Sequence, residues 1–130
     1  MKMHELLVRA VKLGASDIHL SAGEVPALRI NGEIQRLDQA PCLDAEMTKR
    51  LAYSVMNEKQ RTLFENRLEV DFSIGLKGLA RFRVNVFTHA RGVGVVMRQI
   101  PTKILTLEDL RLPPIFRRIA SYKKGLVLIC

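Results

Sequence analysis

Three arginines and an asparagine hold the chemistry that can be read from this chain. Across Ala80-Arg81-Phe82-Arg83-Val84-Asn85-Val86 apolar and polar residues alternate. Successive side chains of an extended strand point to opposite faces, so Arg81, Arg83 and Asn85 share one face while Ala80, Phe82, Val84 and Val86 take the other. A second strand, Val93 to Ile100, follows a four-residue loop, His89-Ala90-Arg91-Gly92. That loop sets Thr88 against Val93 and therefore Arg83 directly against Arg98. Like charges opposed across a hairpin destabilise it by about 0.2–1 kcal/mol, and an anion held between them would reverse the sign. A guanidinium is planar and permanently charged, and its fork of N–H donors fits the equatorial oxygens of a phosphoryl group in transfer. The plainer alternative is a solvated sheet face on which arginine stems lie over their neighbours. A one-residue slip in register would send Arg98 to the other face.

Other candidate groups are weaker. Asp17-Ile18-His19 places a carboxylate and an imidazole on one face of a short strand. No nucleophile accompanies them, so an interface role is expected for Asp17 and His19, with His19 able to titrate near neutral pH. Gly92-Val93-Gly94 lies at a hairpin and not at a helix start, which makes it turn geometry and not a phosphate cradle. His4, His19 and His89 are dispersed and no cysteine or carboxylate cluster joins them, so no metal site is expected. No G-x-x-x-x-G-K-[ST] phosphate loop occurs anywhere in the sequence.

Composition bounds the class. The 130 residues are 48% hydrophobic, enough for one modest core. Net charge is +8 and the pI is near 10.0, a balance that draws anionic partners. The basic residues are scattered and there is no Trp, so a stacking platform for nucleic acid is missing and no nucleic-acid partner is expected. Cys42 and Cys130 are far apart, and Lys2, His4 and Glu5 interrupt any apolar leader, which implies a reduced, cytoplasmic protein.

The elements that must position the arginines follow from punctuation. Leu6, Leu7, Ala10, Val11 and Leu13 recur at helical spacing until Gly14. Asp17 to Leu20 and Leu28 to Ile30 alternate as strands, and Asn31-Gly32 supplies the positive-φ pair of a hairpin into Glu33 to Leu37. Asp44 is placed to cap a helix with Met47, Leu51, Ser54 and Val55 on one face. Asn57 and Gln60 have the form of a capping box opening a second helix with Leu63, Phe64 and Leu68 buried. Val70, Phe72 and Ile74 alternate up to Gly75. Pro101 breaks the last strand, Thr106 opens a single turn, and Pro113-Pro114 opens a helix from Ile115 to Ser121 ahead of a terminal strand. The expected class is α+β, with a mixed, mostly antiparallel sheet and flanking helices.

Several stretches carry a family resemblance: Gly14 to Gly23 with Glu24-Val25-Pro26 and Ala27 to Ile34, Asn57-Glu58-Lys59-Gln60-Arg61, Ala80 to Asn85, and Gly125-Leu126-Val127-Leu128-Ile129. Together they resemble the N-terminal region of the secretion ATPases, most closely the branch that retracts type IV pili for twitching motility. The resemblance implies a PAS-like domain over residues 1–100, a linker over 101–112, and over 113–130 the truncated start of a RecA-like ATPase domain. It implies a homo-hexameric motor using ATP and Mg, cytoplasmic and held peripherally at the inner membrane through a platform protein of the pilus machine. An accessory retraction ATPase is an implied partner, and also the nearest alternative identity. Arg83 and Arg98 match the arginines that this family turns toward nucleotide in the core, with Arg81 the alternate. Leu107 and Leu110 fall in the linker segment that in relatives passes near the adenine, with an ordinary hydrophobic anchor as the equal alternative. Without a phosphate loop, the chain by itself is not expected to hydrolyse ATP. A free-standing PAS-like binding or sensor module is the alternative from a different class.

Overall fold

The computed structural model describes residues 1–130. Helix α1 (Met3–Lys12) leads into strand β1 (Ala15–Ser21), then β2 (Ala27–Ile30) and β3 (Glu33–Arg36). Two helices follow, α2 (Ala45–Tyr53) and α3 (Glu58–Arg67). The long strands β4 (Glu69–Leu76), β5 (Ala80–His89) and β6 (Gly92–Ile100) come next, and α4 (Ile115–Ala120) is the last element. The six strands form one sheet in the order β3-β2-β1-β6-β5-β4, and every pairing is antiparallel. The class is α+β, with the sheet wholly antiparallel where a mixed one was allowed for.

The alternation of the sequence sorts the sheet into two faces. Ile18 and Leu20 of β1 pair with Met97 and Val95 of β6, which in turn oppose Val84 and Val86 of β5. These residues are buried in one cluster with Leu6 and Leu7 of α1, Leu51 of α2 and Phe64 of α3. The helices therefore cover this face, and the other carries the polar set.

Local signals hold at the turns and caps. Asn31 and Gly32 have φ of 51° and 84°, as a two-residue hairpin of this kind requires. Asp44 accepts from the Met47 amide at 2.7 Å, and Asn57 and Gln60 answer each other's amides at 2.9 Å. Two expected faces are corrected. The buried residues of α2 are Thr48, Leu51 and Ala52, with Ser54 exposed, because the stripe that meets the sheet lies one residue round from the apolar count. On α3 only Phe64 is buried. Leu68 takes φ 61° and turns the chain from helix into β4, which leaves its side chain outside. The apolar run Leu126 to Ile129 forms no strand and is exposed, since no neighbouring strand offers it a ladder.

Gly92 shows why the β5–β6 hairpin tolerates little change. Its φ is 136°, and a Cβ there would stand 3.0 Å from the Ala45 side chain and 3.2 Å from that of Ala22. The start of β6 is thus packed directly under the start of α2. Gly92→Ala is expected to cost about 1–3 kcal/mol through backbone strain and overpacking, read as a lowered urea midpoint. An unchanged midpoint would show that the contact relaxes freely.

Candidate functional site: an arginine face on the open sheet

The register of the last hairpin is the one that loop length implied. Thr88 pairs with Val93 and Arg83 with Arg98, and pairing extends one step further to His89 and Gly92, so the connection is only Ala90-Arg91. Arg98 also opposes Asp17 of β1, and Asp17 opposes Arg29 of β2 after an irregularity between Ala15 and Asp17. One row across the open face therefore reads Arg29, Asp17, Arg98, Arg83 and Ser73.

Each of Arg83 and Arg98 meets a carboxylate on its outer side. Arg98 donates through Nε to Asp17 Oδ1 at 2.8 Å, while Arg29 Nε lies 3.5 Å from Asp17 Oδ2. Arg83 donates through Nε and a terminal nitrogen to Asp71, both at 3.1 Å. These two arrangements differ in what they leave available. Asp17 is 4% exposed and holds Arg98 by its inner nitrogen, so the outer nitrogens of an otherwise exposed guanidinium project beyond the pair. Asp71 occupies the fork of Arg83, but both side chains are exposed, and an exposed pair of this kind contributes little to stability. Arg98 is preorganised, and Arg83 can be exchanged onto a stronger anion at little cost. Arg81 reaches only the Ser73 hydroxyl, at 3.3 Å. Asp71, Arg83, Asn85, Val96 and Arg98 together line a depression of 170 Å³.

Electrostatics agree with this division. Burial alone would raise the Asp17 carboxyl, but hydrogen bonds from Arg98 and Ser16 and the charge of Arg98 outweigh it, leaving the group below its ordinary range. Asp17 is thus an anion, held below the ordinary carboxyl range, that steadies two arginines. The hydrogen bonds that Arg83 donates to Asp71, with the charge of that carboxylate, hold the proton of Arg83 more firmly than usual. His19 lies in the next row beside Val96, and its Nε2 is buried with no partner. Burial lowers its pKa, with Arg29 and Arg98 adding to the effect against the opposing pull of Asp17. The expectation that His19 titrates near neutral pH is therefore corrected downward, toward a neutral imidazole.

The remaining candidates lie apart from this row. Leu107 is half-buried and Leu110 exposed, within a turn where Thr106 and Asp109 bond each other's amides at 3.0 and 3.1 Å. No group of three or more His, Cys, Asp or Glu side chains is placed to hold a metal ion. No helix is long and apolar enough to cross a membrane. Sequence reasoning missed Asp71 and Arg29 as partners. Asp71 could have been found, because the β4–β5 hairpin places it diagonal to Arg83, within reach of a long side chain.

Comparison with known proteins shows what the chain is similar to. The chain is 46% identical over 129 residues, 99% of its length, to the type IV pilus retraction ATPase PilT of Pseudomonas aeruginosa. The similarity runs over nearly the whole of this chain and part of that ATPase. To the ATPase PilU of the same organism it is 40% identical over 128 residues, and to a twitching motility protein of Neisseria gonorrhoeae 40% over 123. A crystal structure of the pilus retraction motor PilT with bound ADP superposes with a TM-score of 0.80 at 44% identity, over 96% of this chain and 36% of that one. The Legionella pneumophila ATPase DotB shares the fold, with a TM-score of 0.75 at 23% identity. No protein-family profile matches the chain. The chain spans about a third of the length of these secretion ATPases, 37% of PilT and 33% of PilU.

Proposed function

We propose that this chain is the N-terminal domain of a hexameric ATPase that retracts type IV pili, and that its arginine face serves nucleotide bound in an ATPase core. The observation that carries this reading is the 46% identity to PilT, with Arg83 and Arg98 brought side by side on an uncovered sheet face. The higher identity to PilT than to PilU favours the retraction motor over the accessory ATPase.

Within that motor Arg98 and Arg83 act as arginine fingers. Arg98, steadied by Asp17, presents its outer nitrogens to the phosphoryl oxygens. Arg83 leaves Asp71 for the same anion, and Arg81 is the alternate. The growing charge on the equatorial oxygens is met by two delocalised cations, which lowers the barrier without covalent chemistry from this domain. ATP and Mg belong to the core, and Leu107 and Leu110 lie toward the adenine. PAS-like residues 1–100 contribute interface, including Asp17 and His19. Residues 101–112 link to the ATPase domain that begins at 113. The motor sits in the cytoplasm against an inner-membrane platform protein of the pilus machine.

This chain carries no phosphate loop, so it is expected to show no sustained ATP turnover and only weak nucleotide affinity. Metal-dependent phosphate release that co-purifies with it through several columns would contradict the reading. A ring packs one subunit's N-terminal domain on the next subunit's core, so by light scattering this chain should be a monomer or a weak dimer. A stable hexamer at micromolar concentration would place ring assembly in this domain alone.

A further inference from the structure

Two adjoining cavities lie on the helical side of the sheet, opposite the arginine face. The larger, 550 Å³, opens between the start of α1, the end of α2 and the last residues of β4. Leu7, Leu51, Val55, Ile74 and Leu76 give it apolar walls; Lys2, His4 and Arg50 also line it, and no carboxylate does. The second, 480 Å³, shares Arg50 and Ser54 with the first and adds Lys49, Arg61, Tyr53 and a single acid, Glu46.

The cations here differ from those across the sheet. Arg29, Arg83 and Arg98 each hold a carboxylate, whereas Lys2, Lys49, Arg50 and Arg61 take part in no ion pair. Lys49 and Arg61 flank the Tyr53 ring at 5.3 and 5.6 Å, and the Tyr53 hydroxyl donates to Glu65 at 2.9 Å. Uncompensated positive charge is therefore gathered around a recess with apolar walls.

The edge of the sheet borders the same recess. β4 pairs with β5 on one side and with no strand on the other. Its residues Ile74-Gly75-Leu76 line the larger cavity, with Ile74 and Leu76 on the core face of the strand. An unpaired strand edge presents outward N–H and C=O groups that pair readily with another extended chain.

We infer that this edge docks an extended acidic peptide segment of a partner protein. Its backbone pairs with Ile74 to Leu76, an apolar side chain enters the 550 Å³ cavity, and carboxylates near that anchor meet Arg50, Lys49 and Lys2. A bilayer surface would engage the cations and leave the strand edge unused, whereas a peptide uses edge, cavity and cations together. The site is separate from the arginine face and does not depend on the ATPase reading.

The test uses a fluorescein-labelled peptide, Ser-Leu-Ser-Leu-Ser-Glu-Ser-Glu, with the two glutamates replaced by lysine as control. The acidic peptide should bind saturably, shift the amide resonances of Ile74, Gly75 and Leu76, and weaken as salt is raised, while the lysine peptide does not bind. Arg50→Glu, on an exposed helix position, should weaken binding by about tenfold and leave the circular dichroism spectrum unchanged. Equal binding of both peptides, or indifference to Arg50→Glu, overturns the proposal. So does Arg50-dependent binding to phosphatidylglycerol vesicles without peptide binding, or self-association of the chain that Arg50→Glu abolishes while the peptide fails to bind.

Discussion

Arg83→Ala and Arg98→Ala, made in the longer ATPase, are each expected to lower ATP turnover steeply while ATP binding persists. Arginine fingers are worth about 10³ to 10⁵ in rate in well-studied phosphoryl-transfer enzymes, and less where a domain motion limits the cycle. The geometry separates the two variants. Arg83 gives up only an exposed pair with Asp71, so Arg83→Ala should leave the melting temperature nearly unchanged. Arg98→Ala removes a donor from the buried Asp17 and leaves Arg29 as its remaining cation, so it should also melt lower. Lysine at either position should rescue poorly, since it keeps charge and loses the planar fork. Arg67, at the exposed end of α3, is the control and should be silent. Near-normal turnover in both alanine variants would return the row to an ordinary solvated face.

Asp17→Asn carries the second large effect. Asp17 is buried and accepts from Arg98 and Ser16, and hydrogen bonds to a charged group of this kind contribute about 1.5–3 kcal/mol. Because the folded carboxyl sits below its ordinary range, its contribution is fully present above the unfolded value of about 3.9 and is lost as pH falls through the folded value. The stability gap between parent and Asp17→Asn should therefore be widest at neutral pH and close on acidification. Urea unfolding at a series of pH values reads this directly, and a gap that stays constant would show that the carboxylate charge plays no part. In the longer ATPase the same variant should lower turnover more than nucleotide affinity, because it loosens Arg98 without touching the ligand.

Much of this was legible in the sequence, where the governing contacts are local. A two-residue turn at Asn31-Gly32, a reciprocal cap at Asn57 and Gln60, and the register of Arg83 with Arg98 each depend on a few consecutive residues. The ion pairs that define the arginine face were not legible. Asp17 meets Arg98 across 81 positions of sequence, through a β1–β6 pairing that no local pattern announces. The faces of α2 and α3 were misplaced for a related reason. Which side of a short helix is buried depends on the sheet beneath it, and at Leu68 the turn into β4 took precedence over hydrophobicity. For His19, a strand pattern does not show that its Nε2 is shut away from water without a partner, which lowers the pKa.

The most direct measurement is ATP turnover by a chimera in which this chain replaces the matching residues of Pseudomonas aeruginosa PilT. If the chain is the arginine-bearing domain of such a motor, the chimera should hydrolyse ATP well above the remainder of PilT alone, and lose that gain when Arg83 and Arg98 are both replaced by alanine. A folded, nucleotide-binding chimera whose turnover matches the remainder alone, or survives the double replacement, would contradict it.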